Sequence, residues 1–282
     1  MDRAEDIGQQ EQAMQTLVGL TSVFEGIASM RIAEVKNQVI QSKEFFSELW
    51  HIYQQIRASS EFHFGRGGEE SIDKDLIIII TAEGGFSGDI DEKLISLMLA
   101  DYDDKKQDII VIGHHGALRL VQSGVNFQHY YKLPAKDRDI NVGPLVSAVQ
   151  KYRATTVYYQ TYVSLMVQDV ARIELAAAVQ EQGKAIKEGD EEISEKTYIF
   201  EPSAYAVLDH LERSMLYVAL EQVILESKLA QYASRFRAMT GAHDKAKQSL
   251  SDVRKQYNRA RRANKDERLK EIINGIREVQ TA

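Results

Sequence analysis

Beyond Pro202 the chain runs 80 residues without another proline, and a seam at alternating four- and three-residue spacing passes through that stretch. It comprises Leu208, Leu211, Met215, Val218, Gln222, Leu225, Leu229, Tyr232, Phe236, Met239, His243, Ala246, Leu250, Val253, Tyr257 and Ala260. Proline inside a helix costs about 3 kcal/mol, so its absence permits a long helix. The heptad spacing predicts one that pairs with a partner. At about 1.5 Å per residue, a helix from Ala204 to Val279 is roughly 110 Å long and must protrude from any domain this chain can build. Gln222 and His243 are the polar members of the seam, and His243 reads as a position that helps fix register.

The N-terminal segment supplies the partner. Leu17, Leu20, Phe24 and Ile27 keep the same spacing, which resumes after a one-residue shift at Ala28, Ile32, Val35, Val39, Ser42, Phe46, Leu49, Tyr53 and Ile56. Such an offset resembles a local change in winding. Ser59 and Ser60, with Gly65, Gly67 and Gly68, end the helix. The C-terminal seam is the longer, so a bare, basic helix end is expected beyond the pair. From Arg235 onward 13 Lys/Arg stand against 6 Asp/Glu, a balance of +7; with a net charge of −7 overall, residues 1–234 carry −14. A basic tail on an acidic body suits an anionic partner, either nucleic acid or an acidic protein channel.

Between the helices the pattern changes. Leu76–Ile80 and Ile109–Ile112 are continuous apolar runs, as expected of strands buried on both faces. Helices are expected through Leu94, Ile95, Met98 and Leu99, over Ala117–Gln122 and around Leu145–Tyr152. Further strands are expected at Phe127–Leu133, Thr156–Val163 and Thr197–Glu201, with Glu181–Lys196 an exposed connection. The fold class is therefore α/β: a long antiparallel two-helix coiled coil plus a Rossmann-like domain with a mostly parallel sheet. The expected division is 1–60 for the N-terminal helix, 70–201 for the α/β domain and 203–282 for the C-terminal helix.

Composition excludes several functions. With no cysteine there is no disulfide, thiolate catalysis or thiolate metal site. No apolar run approaches the roughly 20 residues that span a bilayer, so no direct bilayer insertion is expected. Met1-Asp2-Arg3-Ala4-Glu5-Asp6 is too acidic for a signal or transit peptide. Thr81–Asp89, with Gly84, Gly85 and Gly88, lies where a strand turns into a helix. Its spacing fits no phosphate-binding motif and Glu83 and Asp89 would repel a nucleotide, so it reads as a structural turn or protein contact. His114 and His115 lack further ligands at workable spacing and read as a loop pair without catalytic duty. Arg254-Lys255-Gln256-Tyr257-Asn258-Arg259-Ala260-Arg261-Arg262 is the densest positive stretch, but acidic Asp266, Glu267 and Glu271 follow it, against nucleic acid. No catalytic residue, cofactor or metal is assigned.

Tyr198-Ile199-Phe200-Glu201-Pro202-Ser203 with Val207-Leu208 is similar to the start of the C-terminal helix in the gamma subunit of F-type ATP synthases. Leu225-Glu226-Ser227-Lys228, Arg237-Ala238-Met239 and Tyr257-Asn258-Arg259-Ala260-Arg261 resemble its C-terminal signature, and Ile80-Thr81 with Gly84-Gly85-Phe86-Ser87-Gly88 resembles its strand and glycine turn. The departures are an acidic N-terminal helix (five basic against eight acidic residues in 1–60), Ala82-Glu83 in the glycine turn, and Arg262-Ala263-Asn264-Lys265-Asp266-Glu267-Arg268 after Arg261. They suggest a divergent branch or paralogue.

The resemblance implies a central-stalk rotor that carries torque between an ion-driven membrane ring and a catalytic hexamer, without being an enzyme itself. The implied partners are alpha and beta subunits, an epsilon-type subunit and the membrane c-ring, with no nucleotide or nucleic acid bound. Tyr198 and Glu201 fall where the family meets the membrane ring. Arg254, Lys255, Arg259, Arg261 and Arg262 are expected toward the alpha/beta ring, and Phe24, Leu225, Leu229, Phe236, Leu250, Val253 and Tyr257 in the coiled-coil seam. The implied location is peripheral, on the cytoplasmic face of the bacterial inner membrane. The alternatives are a gamma-like shaft of a specialised F1-like ATPase not coupled to ion transport, and a coiled-coil adaptor or nucleic-acid binder.

Overall fold

The computed structural model describes residues 3–56, 72–134, 137, 140–184, 201 and 203–281. The elements are α1 (Arg3–Ile56), β1 (Ile72–Ile80), α2 (Ile90–Asp101), β2 (Gln107–Ile112), α3 (His114–Gln122), β3 (His129–Tyr131), α4 (Gly143–Val149), β4 (Tyr152–Tyr162), β5 (Gln168–Glu174), α5 (Leu175–Lys184) and α6 (Ala204–Thr281). By residue contacts the chain falls into two compact units, Met1–Ile27 with Phe236–Ala282, and Ala28–Arg235.

In the first unit α1 and α6 run antiparallel. Gly8 stands against the Tyr257 ring, Arg254 Nε donates to Glu11 Oε1 at 2.8 Å, and Thr240 Oγ1 donates to Glu25 Oε1 at 2.7 Å. His243 Nδ1 lies 3.2 Å from both Thr21 Oγ1 and the Val18 carbonyl. Thr21 directs its own proton to the Leu17 carbonyl, so the ring nitrogen is the donor.

These contacts correct the expected register of α1. Its less exposed positions are Ala4, Ile7, Glu11, Met14, Val18, Thr21 and Glu25, and the same four-three spacing carries on in Ala28, Ile32 and Val35. No one-residue shift is needed. Phe24, expected in the seam, is 38% exposed, and Leu17, Leu20 and Ile27 are exposed with it. The reason is that α6 presents His243 and Thr240 here, whose polar atoms need partners that Thr21 and Glu25 can supply and leucine cannot. The expected basic end is corrected too. Among the residues whose burial is described, Asn264 is the last partly covered one of α6, and beyond it four Lys/Arg meet four Asp/Glu, so positive charge lies along the paired stretch instead.

The second unit is built on a five-stranded sheet of order β3-β2-β1-β4-β5, parallel except for the β4–β5 pair. Side chains alternate across a strand, which sorts β1 into two cores. Ile77 and Ile79 pack with Ile109, Val111, Leu94, Met98 and Leu120 under α2 and α3. Leu76, Ile78 and Ile80 pack with Ile110, Ile112, Val157 and Tyr159 against Val35, Phe46, Trp50 and Tyr53 of α1 and Met215, Val218, Leu225 and Leu229 of α6. The sheet is thus covered on both faces, which is why its central strands read as unbroken apolar runs.

Other expectations shift. The third strand is only His129–Tyr131, and the helix expected near Leu145–Tyr152 ends at Val149, with Tyr152 opening β4. His114 and His115 form the first turn of α3 rather than a loop. Glu181–Lys184 continue α5, and β5 with the start of α5 was not foreshadowed. The expected strand Thr197–Glu201 lies outside the described residues except for Glu201, which is exposed.

Candidate functional site

The loop after β1 carries the family-like glycines, and the structure shows what it holds. Thr81 N–H donates to the Ile112 carbonyl at 2.7 Å, and Gly116 N–H donates to Thr81 Oγ1 at 2.8 Å. Gly113, at φ +98°, lets the backbone after β2 pass over this threonine; a Cβ there would lie 2.0 Å from the Thr81 carbonyl oxygen. The ends of β1 and β2 are thereby locked together.

Next to this lock sits a buried polar network. Asp91, in the first turn of α2, accepts from the Ala82 N–H at 3.4 Å, stands 2.9 Å from His115 Nδ1 and accepts from Gln160 Nε2 at 2.6 Å. Gln160, on β4, turns its Oε1 to α6. There it accepts from Ser227 Oγ and, at 3.2 Å, from Gln231 Nε2. One turn along, Ser234 Oγ donates to the Ser87 carbonyl at 2.6 Å, and Arg235 donates to the Gly84 and Gly85 carbonyls, each at 3.1 Å.

The C-terminal ends of parallel strands beside the point where strand order reverses are where α/β sheets of this kind hold ligands. Here α6 fills that crevice. The glycine loop offers carbonyl oxygens to hydroxyl and guanidinium donors, the opposite polarity from a phosphate cradle. Chemically the arrangement binds a helix of its own chain.

A second polar knot lies on the same helix. Asp137 is fully buried and accepts from Lys228 Nζ at 2.5 Å and from Tyr232 OH at 3.1 Å, with Arg31 of α1 at 3.9 Å. Burial, then the neighbouring Asp137 carboxylate, push the Tyr232 phenol up to about 12, partly opposed by Arg31 and Arg235. A cavity of about 400 Å³ opens nearby at the ends of β2 and β3, lined by apolar side chains apart from Lys132 and Asn141. Among the described residues no cluster of His, Asp or Glu could hold a metal, and no helix is long and apolar enough to cross a membrane.

The residues singled out in the sequence are scattered. Tyr198 lies outside the described residues, and Glu201 is exposed. Arg254 reaches Glu11, Lys255 pairs with Asp252 within α6, and Arg259, Arg261 and Arg262 are exposed. Leu225 and Leu229 are buried, whereas Phe236, Leu250, Val253 and Tyr257 are half-buried. The network around Asp91 and Gln160 was not anticipated. One signal could have found it: Ser227, Gln231 and Ser234 form a polar stripe at helical spacing beside the apolar seam.

Known proteins place this architecture. A family model described as ATP synthase matches residues 3–278. The ATP synthase gamma chain of Mesoplasma florum is 26% identical over 268 residues, covering 93% of this chain and 93% of its own. That of Cytophaga hutchinsonii is 23% identical, covering 91% and 92%. Among solved structures, a chain of the Euglena gracilis mitochondrial ATP synthase in its OSCP/F1/c-ring portion aligns with a TM-score of 0.58 at 13% identity, covering 96% of this chain and 95% of that one. A chain of the Tetrahymena thermophila central stalk and c-ring gives 0.53, covering 79% and 99%. With the match running from the start of α1 to the last turn of α6, through the sheet and the glycine loop between them, this chain belongs to the ATP synthase gamma family.

Proposed function

We propose that the chain is the central-stalk rotor subunit of a rotary ATP synthase or ATPase. It carries torque between an ion-driven membrane ring and a catalytic hexamer of alpha and beta subunits. The observation that carries this reading is the extent of the family match, which includes both long helices and the domain between them. The chain supplies no reacting group. Its α/β crevice is filled by α6, and rotation of an asymmetric shaft changes the catalytic sites of other subunits, a coupling between separate sites.

In this reading Tyr198 and Glu201 face the c-ring and an epsilon-type subunit sits beside the α/β domain. Arg254, Lys255, Arg259, Arg261 and Arg262 line the path of the shaft through the alpha/beta ring, where their charge suits acidic segments. The chain stays peripheral to the membrane, on the cytoplasmic face of a bacterial cell. The acidic N-terminal helix, Ala82-Glu83 and the altered stretch after Arg261 favour a second reading, an F1-like motor without an ion-conducting ring.

Affinity purification of the tagged chain from its native membranes, with mass spectrometry of its companions, separates the two. Alpha, beta, epsilon-type and c-ring subunits together are the expected result. Alpha- and beta-like subunits without a ring would replace the synthase by the specialised motor, and neither would overturn both.

A further inference from the structure

We propose that Gln160 is the positioning residue of a polar socket by which the α/β domain grips α6, so that load applied to the domain reaches the shaft. The inference rests on the rotor reading above, and names the joint that reading requires. A rotor built as a helix on a sheet needs a contact that resists sliding and turning. Apolar packing between α6 and the sheet is strong but non-directional. Hydrogen bonds with fixed donors and acceptors give direction.

The socket has that character. Gln160 bridges the two sides, giving its amide hydrogens to Asp91 at 2.6 Å and its carbonyl to Ser227 and Gln231 of α6. Its exposure is 0%, and that of Ser227 is 0% as well. All donors therefore point one way, from α6 through β4 to the carboxylate of α2. A chain of hydrogen bonds so polarised has one ordered arrangement and loses partners if α6 turns or slides by one residue. Asp91 is tied in turn to the Ala82 N–H and to His115, so the load is spread over α2, α3 and the glycine loop. Ser234 and Arg235 fasten the next turn of α6 to that loop.

The polarity allows a test by reversal. Gln160→Glu sets a second carboxylate against Asp91. In Asp91→Asn/Gln160→Glu the new amide donates to the new carboxylate, which still accepts from Ser227 and Gln231, while the remaining amide oxygen faces Ala82 and His115. Amide exchange on the purified full chain reads the grip without any other subunit. Gln160→Glu is expected to speed exchange in residues 81–91 and 227–235 by about tenfold or more, and the double variant to return within about twofold of the parent. Gln160→Leu, which keeps most of the volume, is expected to behave like Gln160→Glu.

The complex assembled with each variant then reads the load, as ions moved per ATP hydrolysed. That ratio is expected to fall in Gln160→Glu with hydrolysis retained, and to recover in the double variant. Unchanged exchange in both single variants would overturn the socket. Faster exchange with an unchanged ratio would overturn its part in transmission. A parent chain that enters no ATP-hydrolysing complex would instead defeat the rotor reading, and exchange would still decide the socket.

Discussion

Lys228 carries its ammonium into the interior with 6% of its side chain exposed, against an Asp137 carboxylate at 0%. Two opposite charges this deep gain from each other only what burial has cost them, but removing one leaves the other stranded. Lys228→Met is therefore expected to destabilise the chain by about 3–5 kcal/mol in denaturant unfolding, while Lys228→Met/Asp137→Asn recovers most of it. Equal loss in both variants would mean that packing around the lysine stem, not charge, holds this point. Gly113 makes a sharper case. At φ +98° with Thr81 backbone 2.0 Å from any Cβ, Gly113→Ala combines strain and overlap, and a loss of about 3 kcal/mol or more is expected. A mild effect on the unfolding midpoint would show that the β1–β2 lock can yield. Neither residue was legible. Lys228 sits in a stretch that resembles the family signature, yet nothing in one sequence pairs it with Asp137, since the two are 91 positions apart.

The helices show why polar seams mislead. Leu17, Leu20, Phe24 and Ile27 make the more apolar stripe of α1, and a rule that buries the most apolar face selects it. The structure buries the stripe one position on, because His243 and Thr240 on the opposing helix require Thr21 and Glu25. Substitution separates the two registers: Val18→Asp is expected to lower the thermal midpoint of helix unfolding by several degrees, and Leu20→Asp, at a site 50% exposed, to leave it within about one degree. The reverse order would restore the shifted register. Elsewhere the elements were legible in proportion to their burial. β1 and β2 are covered on both faces and announce themselves, whereas β5 is an edge strand with Asp169, Arg172 and Glu174 in water and little apolar signal. Burial also marks Glu221 and Glu226 on α6, raising both carboxyl pKa values, with Lys43 opposing the shift at Glu226. A carboxyl group whose folded pKa lies above its unfolded value binds its proton more tightly when folded. Its contribution to stability is full below the unfolded pKa and is lost as pH rises through the folded one. Glu226→Gln is thus expected to raise the unfolding midpoint at pH 7 relative to the parent, with the difference vanishing near pH 4. A lower midpoint for Glu226→Gln at pH 7, with a deficit that shrinks on acidification, would mean that Lys43, not burial, governs this carboxylate.

For the molecule as a whole, the division of labour follows from which surfaces the chain can bury by itself. The sheet is covered on both faces, the crevice at its strand ends is filled by α6, and the seam of the helix pair is closed by residues as far as Asn264. Beyond that point residues 265–276 are all exposed, yet Leu269, Ile272, Ile273 and Ile276 recur at helical spacing on one face. Isolated helices of this length are marginal in water, and an apolar stripe adds nothing to stability until something covers it. Removing residues 265–282 takes away no buried side chain among the described ones, so the shortened chain is expected to unfold at the parent's midpoint within about one degree. In the rotor reading the stripe is covered only after assembly, so the same truncation should weaken recovery of alpha and beta subunits in affinity purification. A shortened chain that unfolds several degrees early would show that this end is packed against the chain itself. One that folds and assembles like the parent would show that the stripe contributes to neither, and would confine the working contacts of the shaft to the helix pair and the socketed domain.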